Sequence, residues 1–127
     1  TGAQVVDMGV AEHDAVLAAT SHLPHVLAYA LVDALAQSAV SDNIFKFAAG
    51  GFRDFTRIAS SDPVMWKDIA LANREALLAA MDEFNAHLLS LRAAIDSADS
   101  DMLLATFTRA KSARDEFASS LAERDEP

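Results

Sequence analysis

The sequence predicts an all-α domain, a helical bundle, and three observations predict it. Gly and Pro are scarce, four and three in 127 residues, while Ala is the commonest residue; that balance favours helix. Apolar residues recur at three- and four-residue spacing over long stretches, which puts them on helical stripes. No segment alternates Val, Ile and Thr with polar residues as a half-buried strand does.

The first helical segment is expected over about 11–40. Val16, Ala19, Leu23, Val26, Leu27, Ala30, Leu31, Ala34 and Leu35 share its stripe. Pro24 lies inside the pattern and removes one backbone donor, so it should kink this helix or divide it in two. Residues 41–49 read as a connection. Gly50-Gly51 then precede a short helical stretch over 52–59. Ser61 or Asp62 with Pro63 is a strong helix start, and the helical pattern continues from there to about residue 98. Leu77, Met81, Phe84, Leu88, Leu91 and Ile95 follow one another at spacings of four and three, a heptad seam. Asp99, Ser100 and Asp101 form the next cap. A last helix over about 102–121 carries Leu103, Phe107, Ala110, Phe117 and Leu121 on one stripe that Arg114 interrupts. The charged tail from Ala122 to Pro127 is expected to fray. Packing within the chain can cover part of these stripes, and a second copy would cover the rest.

Composition narrows the function. One domain, residues 1–127, fits the length, and such a domain hides roughly two-thirds of its unfolded surface. An apolar content of 52% excludes disorder. The absence of Cys excludes disulfides and thiolate metal sites and suits a reducing cytoplasm. A formal charge of −9 argues against nucleic acid as a partner. No unbroken apolar run reaches the roughly 20 residues of a membrane span. Thr1-Gly2-Ala3 offers neither a Met nor a basic signal-peptide start, so the chain reads as a domain cut from a longer protein.

Two clusters could carry chemistry. His13-Asp14 precedes Ser21-His22-Leu23-Pro24-His25. His22 and His25 are three residues apart, on nearly one face. Zinc would need a third ligand, and His13, nine residues from His22, is about half a turn out of phase. Plain hydrogen-bonded helix histidines are therefore the better reading on spacing, and no metal is assigned. The second cluster is Gly50-Gly51-Phe52-Arg53-Asp54-Phe55-Thr56-Arg57. The glycines permit close backbone approach to a ligand, and arginines four apart can hold a carboxylate as a fork. The same charges could equally be a solvated ion-pair lattice. Trp66, the only Trp, reads first as a core or interface aromatic.

These strings, in order, together with Ile58-Ala59 and Asp62-Pro63-Val64-Met65-Trp66, resemble the prephenate dehydrogenase family, which includes arogenate and cyclohexadienyl dehydrogenases of tyrosine biosynthesis. They cover much of residues 13–73. The resemblance implies the C-terminal dimerisation domain, of the 6-phosphogluconate dehydrogenase C-terminal type, as an intertwined homodimer. It implies NAD or NADP as the cofactor of the full-length enzyme, bound by an N-terminal Rossmann domain that also holds the catalytic His. These 127 residues contain no G-x-G-x-x-G, so no His here is assigned catalysis and the chain alone is not expected to turn over. The implied reaction is oxidative decarboxylation of prephenate or arogenate, with hydride passing from the hydroxyl-bearing ring carbon to the nicotinamide. By resemblance, Arg57 grips a substrate carboxylate and His25 contacts the substrate and affects inhibition by tyrosine. Arg53 and Asp54 form the charged pair at the pocket mouth. Trp66 reaches the neighbouring subunit's site, and Gly50 and Gly51 are the close-approach glycines. His22 and Asp14 fall on motif positions; His22 is expected among the substrate-binding residues, and Asp14 is expected to orient the catalytic His of the other domain. A non-catalytic helical protein-interaction module, with the Arg cluster as a protein contact, is the competing reading.

Overall fold

The computed structural model describes residues 9–125. Thr1-Gly2-Ala3, Met8 and the end of the charged tail lie outside them. The described residues are predominantly helical, with no strand, as the scarcity of Gly and Pro predicts. In order come α1 (Val10–Leu17), a π turn (Ala18–His22), α2 (Leu23–Ala36), α3 (Ser41–Lys46), α4 (Gly50–Thr56), a 3₁₀ turn (Arg57–Ser60), α5 (Pro63–Ala72), α6 (Arg74–Asp96) and α7 (Ser100–Asp125). The chain forms two compact units, Thr1–Glu83 and Phe84–Pro127.

In the first unit, Pro24 falls in the first turn of α2, where a π turn divides α2 from α1 without unwinding the chain. Its missing N–H and its ring, which crowds the carbonyl four residues back, are absorbed by widening the turn before it: the Leu23 amide donates to Ala18 O, five residues away. A π turn of this kind loosens the carbonyl ladder, and side chains supply donors around it. Thr20 Oγ1 donates to Val16 O (2.7 Å), and Asn73 Nδ2 donates to Asp14 O (2.9 Å). The result is one continuous helix from Val10 to Ala36. By length and composition alone it is apolar enough to cross a membrane, with a mean hydropathy of 1.4. Counting unbroken apolar runs missed this because Thr, Ser and His punctuate it. It is nevertheless built into a bundle: α2 packs against α3, α4 and the 3₁₀ turn. The Tyr29 hydroxyl ties it to Ser61 O (2.7 Å).

Three further boundaries differ from expectation. Residues 41–46 are helical rather than a plain connection, with Asp42 in the first turn and Lys46 in the last, the charge order the helix dipole favours. The expected helix from Pro63 to about residue 98 breaks at Asn73 (φ −115°, ψ 38°), between α5 and α6. Asn ends and starts helices readily because its amide competes for local backbone groups. α7 runs on to Asp125, beyond the expected fraying point. The α5 cap is as expected: Asp62 Oδ1 accepts from Val64 N (3.0 Å), and Pro63 follows.

In the second unit, α6 ends in a Schellman motif. Asp99 N donates to Ala94 O (2.8 Å) and Ala98 N to Ile95 O (3.1 Å), with Ala98 in the left-handed region (φ 54°) that usually takes Gly. Asp99 Oδ1 then caps α7 by accepting from Met102 N (3.1 Å). Arg114, which breaks the α7 stripe, lays its guanidinium 5.4 Å from the Phe117 ring centroid, a cation–π contact.

Burial within one chain is sparse. Among the described residues only Ala18, Ala28, Leu77 and Ala94 are buried apolar residues. Leu77 anchors the heptad seam, yet its later members Leu88 and Ile95 lie open, and Leu89, Leu104, Phe107 and Phe117 do too; these six are 50–67% exposed. So much open apolar area on two long helices exceeds what a soluble monomer ordinarily shows.

Candidate functional site

The π turn and the start of α5 build an aromatic cluster. His25 stacks on Trp66 with ring centroids 3.6 Å apart and planes 13° from parallel. His22 meets the same indole edge-on, at 6.1 Å and 74°. All three rings are half-buried. The α5 cap positions the indole: Asp62 and Pro63 fix where the helix begins, and Trp66 N donates to Asp62 O (3.1 Å) in its first turn. Trp66 thus reaches His25 within one chain. Two residues 41 positions apart in the sequence belong to one cluster.

Each imidazole has one nitrogen engaged. His25 Nδ1 lies 2.9 Å from Ser21 O, and His22 Nδ1 lies 3.2 Å from Asn73 Nδ2. Beside the stack is a cavity of about 530 Å³, lined by His25, Tyr29, Asp33, Pro63, Trp66 and Lys67 among others, a volume that suits a small organic molecule. Most of its wall is apolar side chain and aromatic ring, with Asp33 and Lys67 contributing charged groups to the lining. A second cavity, about 650 Å³, lies beside Asp14, Asn73 and Arg74. Among the described residues, no three His, Asp or Glu side chains gather as a metal site.

The arginine cluster is not part of the first cavity. Gly50 and Gly51 open α4, Arg53 and Asp54 follow on it, and Arg57 begins the 3₁₀ turn. These elements pack on α2, the helix that carries His25, but none of the five residues lines the cavity. The alternative of a solvated ion-pair lattice is not seen: among the described residues neither Arg53 nor Arg57 has an acidic partner, and Arg53, Asp54 and Arg57 are all exposed. A Cβ added at Gly50 or Gly51 would meet nothing within 4 Å, and neither has a positive φ. Nothing within the chain therefore requires glycine there. Asp14 keeps its carboxylate half-exposed, 3.7 Å from His13 Nδ1, while its main-chain oxygen holds Asn73.

Sequence reasoning missed Asn73, Tyr29 and Lys67. For Asn73 a signal existed: a capping residue in the middle of an otherwise continuous apolar pattern marks a break. Tyr29 and Lys67 join the cavity through tertiary packing and leave no local mark.

Comparison with known proteins gives a consistent picture. The family described as "Prephenate dehydrogenase, dimerization domain" matches residues 10–109. The chain is similar to a cyclohexadienyl dehydrogenase of Zymomonas mobilis, 45% identical over 115 residues, covering 89% of this chain and 39% of that protein. It is similar also to a prephenate dehydrogenase of Bacillus subtilis, 42% identical over 119 residues, covering 91% and 31%. Among solved structures, the prephenate dehydrogenase from A. aeolicus in complex with hydroxyphenyl propionate and NAD+ superposes with a TM-score of 0.77 at 42% identity, covering 83% of this chain and 37% of that one. The arogenate dehydrogenase of Synechocystis gives 0.79 at 28% identity, covering 84% and 40%. The chain thus spans well under half the length of the relatives it matches. On its sequence and its fold alike, it belongs to the prephenate dehydrogenase family, as that family's dimerization domain.

Proposed function

We propose that this chain supplies substrate binding and dimerisation to a prephenate or arogenate dehydrogenase, a cytoplasmic enzyme of tyrosine biosynthesis. The observation that carries this reading is the pair of exposed guanidiniums, Arg53 and Arg57, left without acidic partners on elements packed against the helix that bears His25. Unpartnered arginines beside an imidazole suit a ligand with carboxylates. Prephenate has two. Arg57 grips one of them, Arg53 and Asp54 stand at the mouth, and His25, held flat by Trp66, contacts the substrate ring. Gly50 and Gly51 let the substrate or the other domain come close to the backbone. Asp14 orients the catalytic His, and Trp66 also reaches the partner subunit's site. Tyrosine, with a six-membered ring bearing a para hydroxyl and one carboxylate, competes for the same groups. The net charge of −9 does not oppose this, because short bidentate contacts outweigh a screened distant field.

The hydride acceptor is NAD or NADP. Residues to hold it are not found here: the described residues contain no strand and the sequence no Gly-rich dinucleotide fingerprint. The chain's own part is to bind and orient the acid and to keep the two subunits together. Leu88, Leu89, Ile95, Leu104, Phe107 and Phe117 supply the apolar area that a second copy covers.

Arg57→Ala in the full-length enzyme tests the reading. Losing charge-assisted hydrogen bonds worth about 3 kcal/mol should raise KM for the dicarboxylate roughly 100-fold with helix content unchanged. An unchanged KM would remove Arg57 from the substrate site.

A further inference from the structure

We propose that Asn73 is a positioning residue for the histidine pair: its side-chain amide decides which nitrogen of His22 carries the proton. The inference rests on the substrate-binding reading above for its functional consequence, but its geometry stands alone.

Asn73 sits at the break between α5 and α6. Its Nδ2 lies 2.9 Å from Asp14 O and 3.2 Å from His22 Nδ1. A main-chain carbonyl can only accept, so the atom facing Asp14 O is the amide nitrogen and not the amide oxygen. That nitrogen has two hydrogens. One goes to Asp14 O, and the other points at His22 Nδ1, which must therefore be bare. A neutral imidazole keeps a single N–H, so His22 carries it on Nε2. His25 is set the other way. Its Nδ1 faces Ser21 O at 2.9 Å, again an obligatory acceptor, so Nδ1 holds the hydrogen and the neutral ring leaves Nε2 bare. Two imidazoles three residues apart, both against Trp66, thus present opposite hydrogen-bonding faces: a fixed donor from His22 and a fixed acceptor from His25.

The π turn makes this bridge feasible. Asp14 and His22 are eight residues apart, which on a regular α-helix places them roughly 80° out of phase. The π turn accommodates one extra residue and brings them onto a common face, where one amide reaches both. The helix break at Asn73, the π turn and the two tautomers form one connected device. Locking a tautomer through the ring's other nitrogen is the way a neighbouring group commonly sets a functional histidine.

The test has a spectroscopic and a kinetic arm. With ¹⁵N-labelled histidine in this chain, long-range ¹H–¹⁵N correlations identify each tautomer and need no substitution. The expected result is His22 with its proton on Nε2 and His25 with its proton on Nδ1. A wild-type His22 protonated on Nδ1, or exchanging freely between the two forms, overturns the proposal. Asn73→Asp replaces the donor by an acceptor, so the His22 proton should move to Nδ1, while Asn73→Ala should leave a mixture. In the full-length enzyme, Asn73→Asp should raise KM for the dicarboxylate at least tenfold, with circular dichroism and molecular mass unchanged. A switched tautomer with unchanged KM refutes the positioning role. Arg57→Ala, which leaves the Asn73 network intact, then tells whether the substrate reading falls with it.

Discussion

Replacing His25 probes the cluster on which the site is built. The side chain makes two interactions that can be removed separately: the stack on Trp66 at 3.6 Å and 13°, and the bond from Nδ1–H to Ser21 O at 2.9 Å. A stacked aromatic pair contributes about 0.5–1.5 kcal/mol beyond its buried area, and a part-buried neutral hydrogen bond about 1 kcal/mol. His25→Ala loses both and should destabilise the chain by about 2 kcal/mol. His25→Phe keeps a flat ring against the indole and loses only the bond, so it should cost about half as much. Trp66 is the only Trp, which makes urea unfolding followed by its fluorescence a direct assay; all variants are compared at one protomer concentration, because association shifts apparent stability. The emission should move to longer wavelength in His25→Ala, as the indole loses its cover, and stay in place in His25→Phe. Equal stabilities for the two variants, within about 0.3 kcal/mol, together with an unmoved emission maximum, would refute the stack.

Two further outcomes follow from the backbone. Ala98 holds a left-handed conformation at the end of α6 (φ 54°), which costs a non-glycine residue about 1–2 kcal/mol. Glycine regains that and gives back about 0.4–1 kcal/mol in unfolded-state entropy, so Ala98→Gly should raise the urea midpoint by the equivalent of about 0.5–1 kcal/mol with an unchanged m-value; no rise would contradict the Schellman geometry. Gly51→Ala meets no atom within 4 Å inside the chain and should stabilise α4 by about 0.5 kcal/mol through better helix propensity. If the glycine is there for a close approach from outside the chain, the same substitution raises KM at least tenfold in the full-length enzyme, and an unaltered KM removes that role.

Much of this fold was legible locally. The Asp62–Pro63 and Asp99 caps are short-range chemistry, readable from residue type and position, and the helix that carries Leu77 to Ile95 is readable from its period, although within the chain Leu88 and Ile95 lie open. The π turn was not, because Pro24 states only that the regular ladder fails, not how the helix repairs it. The break at Asn73 was hidden by an apolar pattern that runs on through it. The left-handed Ala98 was hidden because that position usually takes Gly or Asn, and Ala gives no sign of it. The site was legible in pieces. His22, His25 and Trp66 could each be singled out, and the family resemblance put them in one enzyme. Their contact is tertiary and leaves no trace in local spacing. The arginines and the imidazoles do not line one cavity within the chain: Arg53 and Arg57 stand on neighbouring elements but outside the space beside Trp66. A ligand that touches both groups has to extend from one to the other, or be enclosed by the rest of the enzyme.

Amide hydrogen exchange in the full-length enzyme, with and without saturating prephenate or a hydroxyphenyl acid that mimics the product, reports where this domain meets its ligand. Slowed exchange is predicted in two stretches of this chain, 21–29 around the π turn and 50–58 around the double glycine and the arginines, with α7 unchanged. Protection confined to residues outside this chain would contradict the assignment of substrate binding to it.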